Sequence, residues 1–237
     1  MDTKMQIEIE ALSPISLGSG QGDVVVDSEI IHDELGIPYF PAKRLKGLLY
    51  ESAMECADML TVFPNGQQYE AAVQETFGHC KTAVQCIVHN FYIQDYEKIA
   101  KELKAVEEAF PACVQPTDVL EEYTSLRYQT AIDENGIAKD TVIDENDSAK
   151  DTAVDKNGIA KDHSLRNIRV VNEHILFTGE IGLLQAEQIH IDMLTLALKN
   201  LQYAGMKRNR GFGHIECRIR HQDMNQLVQQ ILRKAAQ

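Results

Sequence analysis

The order of periodic segments predicts an α+β fold of ferredoxin-like type. Three observations carry it. "MQIEIEAL" near the N-terminus alternates apolar and polar residues, the period of a half-buried strand. Two segments, Arg44 to about Leu60 and 185–205, repeat apolar residues at helical spacing. Further strand-like runs follow each of these helices, which gives two strand–helix–strand halves.

Each element has its own signal. After the first strand, "SPISLGSGQGD" is a Gly- and Ser-rich turn. "VVVDSEIIHD" is a short β-rich run and "ELGIPYFP" a turn with two prolines. In "RLKGLLYESAMECADML", Leu45, Leu48, Leu49, Ala53 and Met54 share one helix face. "EAAVQETF" adds a helical turn, and "CIVHNFYIQDY" (86–96) reads as strand. "EKIAKELKAVEEAF" (97–110) is helical and Pro111 stops it. Residues 164–184 read as two strands around a turn at Asn172-Glu173. The helix of 185–205 is expected to end on Gly205 as a C-cap. "RGFGHIECRIRH" is a glycine turn feeding a strand, and "MNQLVQQILRKAA" a terminal amphipathic helix. The whole reads as one domain over 1–237, with insertions at about 60–125 and 130–162.

The second insertion is unusual. From Thr130 to Asp162 an eleven-residue phrase is written three times: "TAIDENGIAKD", "TVIDENDSAKD", "TAVDKNGIAKD". Each copy has Asn-Gly or Asn-Asp at its middle, a hairpin signal. The low apolar content suits a flexible acidic loop for the extra copies. "DENG" resembles the start of a calcium loop, but the closing Gly-x5-Glu is missing.

The net charge of −13 argues against a simple polyanion binder. The acid is uneven, however. Residues 95–122 and 130–162 each carry −5, and the remainder is nearly balanced. Its cations cluster in "AKRLKG" (42–47) and "GMKRNRGFG" (205–213). Cations beside glycines, whose backbone admits close approach, suit phosphate contacts. They also suit a solvated turn. RNA-recognition domains share the predicted architecture. Five scattered cysteines, no apolar run of membrane length and no signal-like start fit a reduced, cytoplasmic protein. His79, Cys80, Cys86 and His89 invite a zinc reading, but Cys86 and His89 would face opposite sides of a strand, so zinc is not expected.

Taken together, "LGSGQGDVVVDSEIIHDELGIPYFPAKRLKGLL" and "GMKRNRGFGHI" resemble the RAMP superfamily, the repeat-associated proteins that build CRISPR ribonucleoprotein effectors. The family pattern is a glycine turn, an Asp leading a β run, G-x-P-x-x-P, then LKG opening a helix. Here these are Gly18, Ser19, Gly20, then Asp27, then Gly36, Pro38, Pro41, then Leu45, Lys46, Gly47. Its late glycine loop matches Arg210, Gly211 and Gly213. Where the family usually has P-G-S-S-L-K-G, this chain has "PAKRLKG", a more basic helix start.

The resemblance is to backbone-type subunits of type III effectors, and it implies a palm with a thumb hairpin. The thumb carries the phrase TAID…G-x-A…SL once, so copies two and three read as an in-frame expansion. It further implies guide and target RNA as ligands and related effector subunits as partners. RNA contacts are expected from Gly18, Ser19, Gly20, Lys43, Arg44, Lys46, Lys207, Arg208, Arg210, Gly211 and Gly213. Asp27 is the expected centre for RNA cleavage with Mg or Mn, with Asp23 and His32 as weaker candidates. A non-catalytic structural or capping subunit of the same complex is the alternative. A guide-processing endoribonuclease would need a general acid/base, commonly His, and no His stands at a motif.

Overall fold

The structure, a computed structural model, describes residues 2–22, 26–78, 84–130 and 165–237. Asp23, His79, Cys80, His163 and the repeat phrases from residue 131 to 162 lie outside the described residues.

The elements are β1 (Thr3–Ala11), β2 (Tyr39–Phe40), α1 (Ala42–Leu60), α2 (Gln68–Phe77), β3 (Gln85–Val88), β4 (Phe91–Ile93), α3 (Tyr96–Ala109), α4 (Pro116–Tyr123), β5 (Thr124–Thr130), β6 (Leu165–Val171), β7 (Leu176–Leu184), α5 (Gln188–Asn200), β8 (Ile215–Ile219) and α6 (Met224–Ala236). The main sheet runs β2-β4-β7-β1-β8, with β3 also on β7. β1 is antiparallel to both β7 and β8. This is the interleaved arrangement of two split strand–helix–strand units, as the periodicity predicts.

Alternation sets the two faces of the sheet. Met5, Ile7, Ile9 and Ala11 of β1, with Ile215, Cys217 and Ile219 of β8, point into the core beneath the helices. The intervening positions form ion pairs on the other face: Lys4–Glu180 at 2.9 Å, Arg218–Glu10 at 3.3 Å and Arg220–Glu8 at 3.5 Å. α1 buries Leu45, Leu49, Ala53, Cys56 and Ala57, a stripe one helical face wide. Leu48 and Met54, expected on that stripe, pack at its edge.

Within 60–125, read from the sequence as an insertion, β3 and β4 are strands of the sheet itself. Both pair with β7, Val88 opposite Ile181 and Tyr92 opposite Thr178. The interrupted strand thus carries one residue more than its partner, a bulge at His89-Asn90. The bulge directs Asn90 to the start of α1, where its Oδ1 accepts from the Ala42 N–H at 2.8 Å. That satisfies one of the orphan donors of the helix N-terminus. α4 has no counterpart in the sequence reading.

Two expectations are corrected. α5 ends at Asn200, not at Gly205. The chain beyond it is extended: Ala204 N–H donates to Gly213 O and Ile215 N–H to Gln202 O. Pairing with the loop before β8 overrides the helical pattern of the apolar residues Leu201 and Ala204, both buried. β6 also does not pair with β7 across Asn172-Glu173. It pairs with β5 in a separate two-stranded ribbon, from Thr124↔Val171 to Thr130↔Leu165. The ribbon is a hairpin stem that flanks the repeats on both sides. No helix among the described residues is long and apolar enough to cross a membrane.

Candidate nucleic-acid interface

The glycine turn after β1 folds back as an irregular hairpin. Ser19 N–H donates to Glu29 O at 2.7 Å, Glu29 N–H to Gln21 O at 2.9 Å and Ile31 N–H to Leu17 O at 3.0 Å. This hairpin lies along β6. Ser28 bridges Ile168, and Arg169 N–H donates to Ser28 O at 3.0 Å. The Arg169 guanidinium pairs with Glu29 at 3.0 Å, and both side chains are largely buried.

Asp27 sits at the turn end of this contact, exposed. Its Oδ2 accepts from the Asn167 N–H at 2.7 Å, and its own N–H donates to Asn167 Oδ1 at 2.8 Å. The carboxylate identified from the sequence is therefore fastened to the first strand after the repeats.

The second glycine loop meets the first from the other side. Met206 N–H donates to Ser16 O at 2.9 Å, Gly213 N–H donates to Pro14 O at 2.9 Å, and Met206 packs against Gly18. Gly213 holds φ +77°, and a Cβ there would overlap the Ala204 carbonyl, so glycine is required. Lys207 precedes a short 3-10 turn, Arg208–Arg210, and Gly211 follows it in open space. The Lys207 ammonium is pushed below the ordinary lysine range, first by desolvation, then by repulsion from Arg210 and Arg166. Arg166 immediately precedes Asn167. Lys207 of the late loop therefore feels the charge of the residue next to the Asp27–Asn167 contact.

The first basic cluster divides. Arg44 joins this region: its Nη2 donates to Gly18 O at 2.9 Å, while its Nη1 is buried without a hydrogen-bond partner. Lys43 and Lys46 instead line a cleft against Gln74 and Phe77 of α2, and the Lys46 ammonium donates to Cys86 O at 2.9 Å. The structure therefore brings together Gly18, Ser19, Gly20, Arg44, Lys207, Arg208, Arg210, Gly211, Gly213 and Asp27, and sets Lys43 and Lys46 apart. His32 is turned to its own chain, Nδ1 lying 2.8 Å from Asp33 O. The sequence reading missed Arg166, Asn167 and Arg169. Their only signal is two arginines on one predicted strand.

Among the described residues, no group of three or more His, Cys, Asp or Glu side chains could hold a metal ion. Glu29 is engaged by Arg169, so among the described residues Asp27 offers a lone carboxylate. By itself it fits a divalent cation whose other ligands are phosphate and water, the usual habit of Mg2+ at phosphate sites. Of the zinc set, Cys86 is buried and His89 follows it just past the end of β3, while His79 and Cys80 lie outside the described residues.

Fold and site define a class: a ferredoxin-like palm with a glycine-turn hairpin behind β1, a basic glycine loop before β8 and a separate two-stranded ribbon between them. The sequence from residue 8 to 216 matches the RAMP superfamily, and the chain belongs to that family. No curated protein sequence matches it. Among solved structures it is similar to a chain of the type III-B Cmr-beta complex bound to cognate target RNA, with TM-score 0.55 and 14% identity over 95% of this chain and 98% of that one. A chain of the Cmr-beta apo state is similar at TM-score 0.54 and 13% identity, over 93% and 98%.

Proposed function

We propose that the chain is an RNA-binding subunit of a type III CRISPR effector complex, holding a guide strand along its two glycine loops and presenting Asp27 to target RNA. The observation that carries this reading is the position of Arg166. It is near enough to Lys207 to repel its ammonium and directly precedes Asn167, which holds Asp27, so a strand of phosphates following the late loop would arrive near that carboxylate. Crowded, partly desolvated cations are costly in isolation, and phosphate would offset that cost. Family membership and the fold shared with Cmr-beta chains support the same reading.

The chemistry proposed for Asp27 is RNA cleavage in which a ribose 2′-oxygen attacks the adjacent phosphorus. The O2′–P bond forms, the P–O5′ bond breaks, and the 2′-hydroxyl proton is lost while the 5′-oxygen gains one. A divalent cation held there would neutralise phosphate charge. A carboxylate is a weak base at neutral pH, so Asp27 orients rather than deprotonates. Its bond from Asn167 N–H fixes that orientation. The same bond favours a second reading, a structural subunit in which Asp27 is only a fastening.

The test of RNA binding is the triple replacement of Lys207, Arg208 and Arg210 by Ala in the assembled complex. Affinity should fall similarly for all guide sequences, and the log–log salt slope should shrink by about 2, from roughly 0.7 per lost phosphate contact on single strands. Unchanged affinity and slope would overturn the proposal.

A further inference from the structure

Behind the late glycine loop lies a cleft of about 270 Å³ between α1 and the extended segment after α5. One wall is Tyr203, 45% exposed. His214 stacks on it with ring centroids 5.2 Å apart and planes 27° apart, which fixes the plane of the phenol ring. The backbone pairing of Ala204 with Gly213 holds both rings in register. The cleft is smaller than the roughly 300–1,000 Å³ of sites for whole drug-sized ligands. It suits a single planar ring system.

Its polar lining is selective. Ser52 Oγ donates to Ala197 O, and Asn200 Nδ2 donates to Ser52 Oγ at 3.1 Å and to Glu55 Oε2 at 2.9 Å. Those three side chains are engaged with one another. Glu51, one turn before Glu55 on α1, lines the cleft and has no hydrogen-bond or ion-pair partner among the described residues; the same holds for Arg208 at the mouth. A carboxylate beside an aromatic wall accepts two adjacent N–H groups in one plane. Among RNA bases only guanine offers that pair, N1–H and N2–H. Adenine and cytosine present one amine beside a ring acceptor, and uracil one N–H between two carbonyls.

We infer that this cleft takes a guanine base splayed from the RNA strand, stacked on Tyr203, read by Glu51 and with its phosphate at Arg208. The inference rests on the RNA-binding reading above and deepens it: the loops hold backbone without regard to sequence, and the cleft adds a base preference at one position. Single-stranded RNA is read in this way, by stacking and by contacts to exposed base edges.

Calorimetric titration of the full chain with GMP and AMP tests it. Wild type should bind GMP at least about fivefold more tightly, the lower end of discrimination by one bidentate contact. Tyr203→Ala should weaken GMP about fivefold or more, and Tyr203→Phe, which keeps the stack, should not. Glu51→Gln should bring GMP and AMP to similar affinity. Thermal melts check folding, and the Phe and Gln variants keep the test decisive if the Ala variant unfolds. Equal binding of GMP and AMP by wild type, or no binding of either, overturns the cleft. So does a folded Tyr203→Ala that binds GMP as wild type does. Lys207→Ala/Arg210→Ala, neither in the cleft, separates the two readings. If RNA affinity falls in that variant while GMP shows no binding, only the cleft is lost. If GMP binds at Tyr203 and wild type takes up no RNA, the broader reading is lost and the cleft stands as a guanine-nucleotide site alone.

Discussion

Asp27 and Asn167, 140 residues apart, bond each other reciprocally: each backbone N–H donates to the other's side-chain oxygen, at 2.8 and 2.7 Å. Neither bond replaces a strand ladder. They join a turn before α1 to the ribbon that flanks the repeats, so the geometry of one is imposed on the other.

This pair separates charge from fastening. Asp27→Asn keeps an oxygen to accept from Asn167, whereas Asp27→Ala removes it. Asn should leave the melting temperature near wild type and Ala should cost about 1 kcal/mol. On the cleavage reading proposed above, both should abolish divalent-cation-dependent target cleavage while leaving target binding intact. Cleavage by the Asn variant at the wild-type rate would leave the carboxylate with the structural role alone.

Lys207 should trade stability for binding. Its ammonium is depressed by desolvation and by Arg210 and Arg166. Between the depressed folded value and the ordinary lysine value, the unfolded chain binds more protons, so this group's contribution to stability rises with pH there. At neutral pH the charged form therefore destabilises. Lys207→Met should raise the melting temperature at pH 7, by less as pH enters the lysine range, while weakening RNA binding. Wild-type affinity for RNA should in turn decline with rising pH earlier than an ordinary lysine would cause. A melting temperature lowered by Lys207→Met would contradict this.

Two glycines of the late loop should differ. Gly211 is at φ +80° with open space around it, so Gly211→Ala should cost about 1 kcal/mol of backbone strain. Gly213 adds a backbone overlap with Ala204, so Gly213→Ala should cost about 2–4 kcal/mol and loosen the Tyr203–His214 stack. Urea unfolding of the two variants gives the comparison, and equal midpoints would refute the steric account.

Deleting Thr141 to Asp162 leaves "TAIDENGIAKDHSLR" and every pair from Thr124↔Val171 to Thr130↔Leu165. The change in loop closure is under about 1 kcal/mol. The deletion should stay soluble, melt near wild type and bind RNA as before. Loss of soluble protein would assign the extra copies a structural role.

The palm was legible because its signals are local. β1, α1, α3, β8 and α6 follow from period-two or helical spacing, with Pro111 stopping α3, and the helix bounds differ by a residue or two. What failed was set by distant partners. Leu201 and Ala204 continue a helical apolar pattern and are buried, but beyond Leu201 the chain is drawn out by the pairing of Gln202 with Ile215 and of Ala204 with Gly213. β6 follows β5 rather than β7, although the turn at Asn172-Glu173 favoured its nearer neighbour. At the site, the glycines and Asp27 were visible as motifs. Asn167 was not, because a single amide carries no pattern, and Arg166 gains meaning only from the cations that crowd it.

The bulge at His89-Asn90 gives the chain an unequal tolerance of inherited length change. One residue lost there would carry the side chains of β4 to the opposite faces of the sheet and withdraw Asn90 from α1. Between Thr130 and Leu165 the ribbon is already closed, so whole phrases can be gained or shed by duplication without altering a pair. Descendants of this gene should vary by elevens in one place and keep strict count in the other.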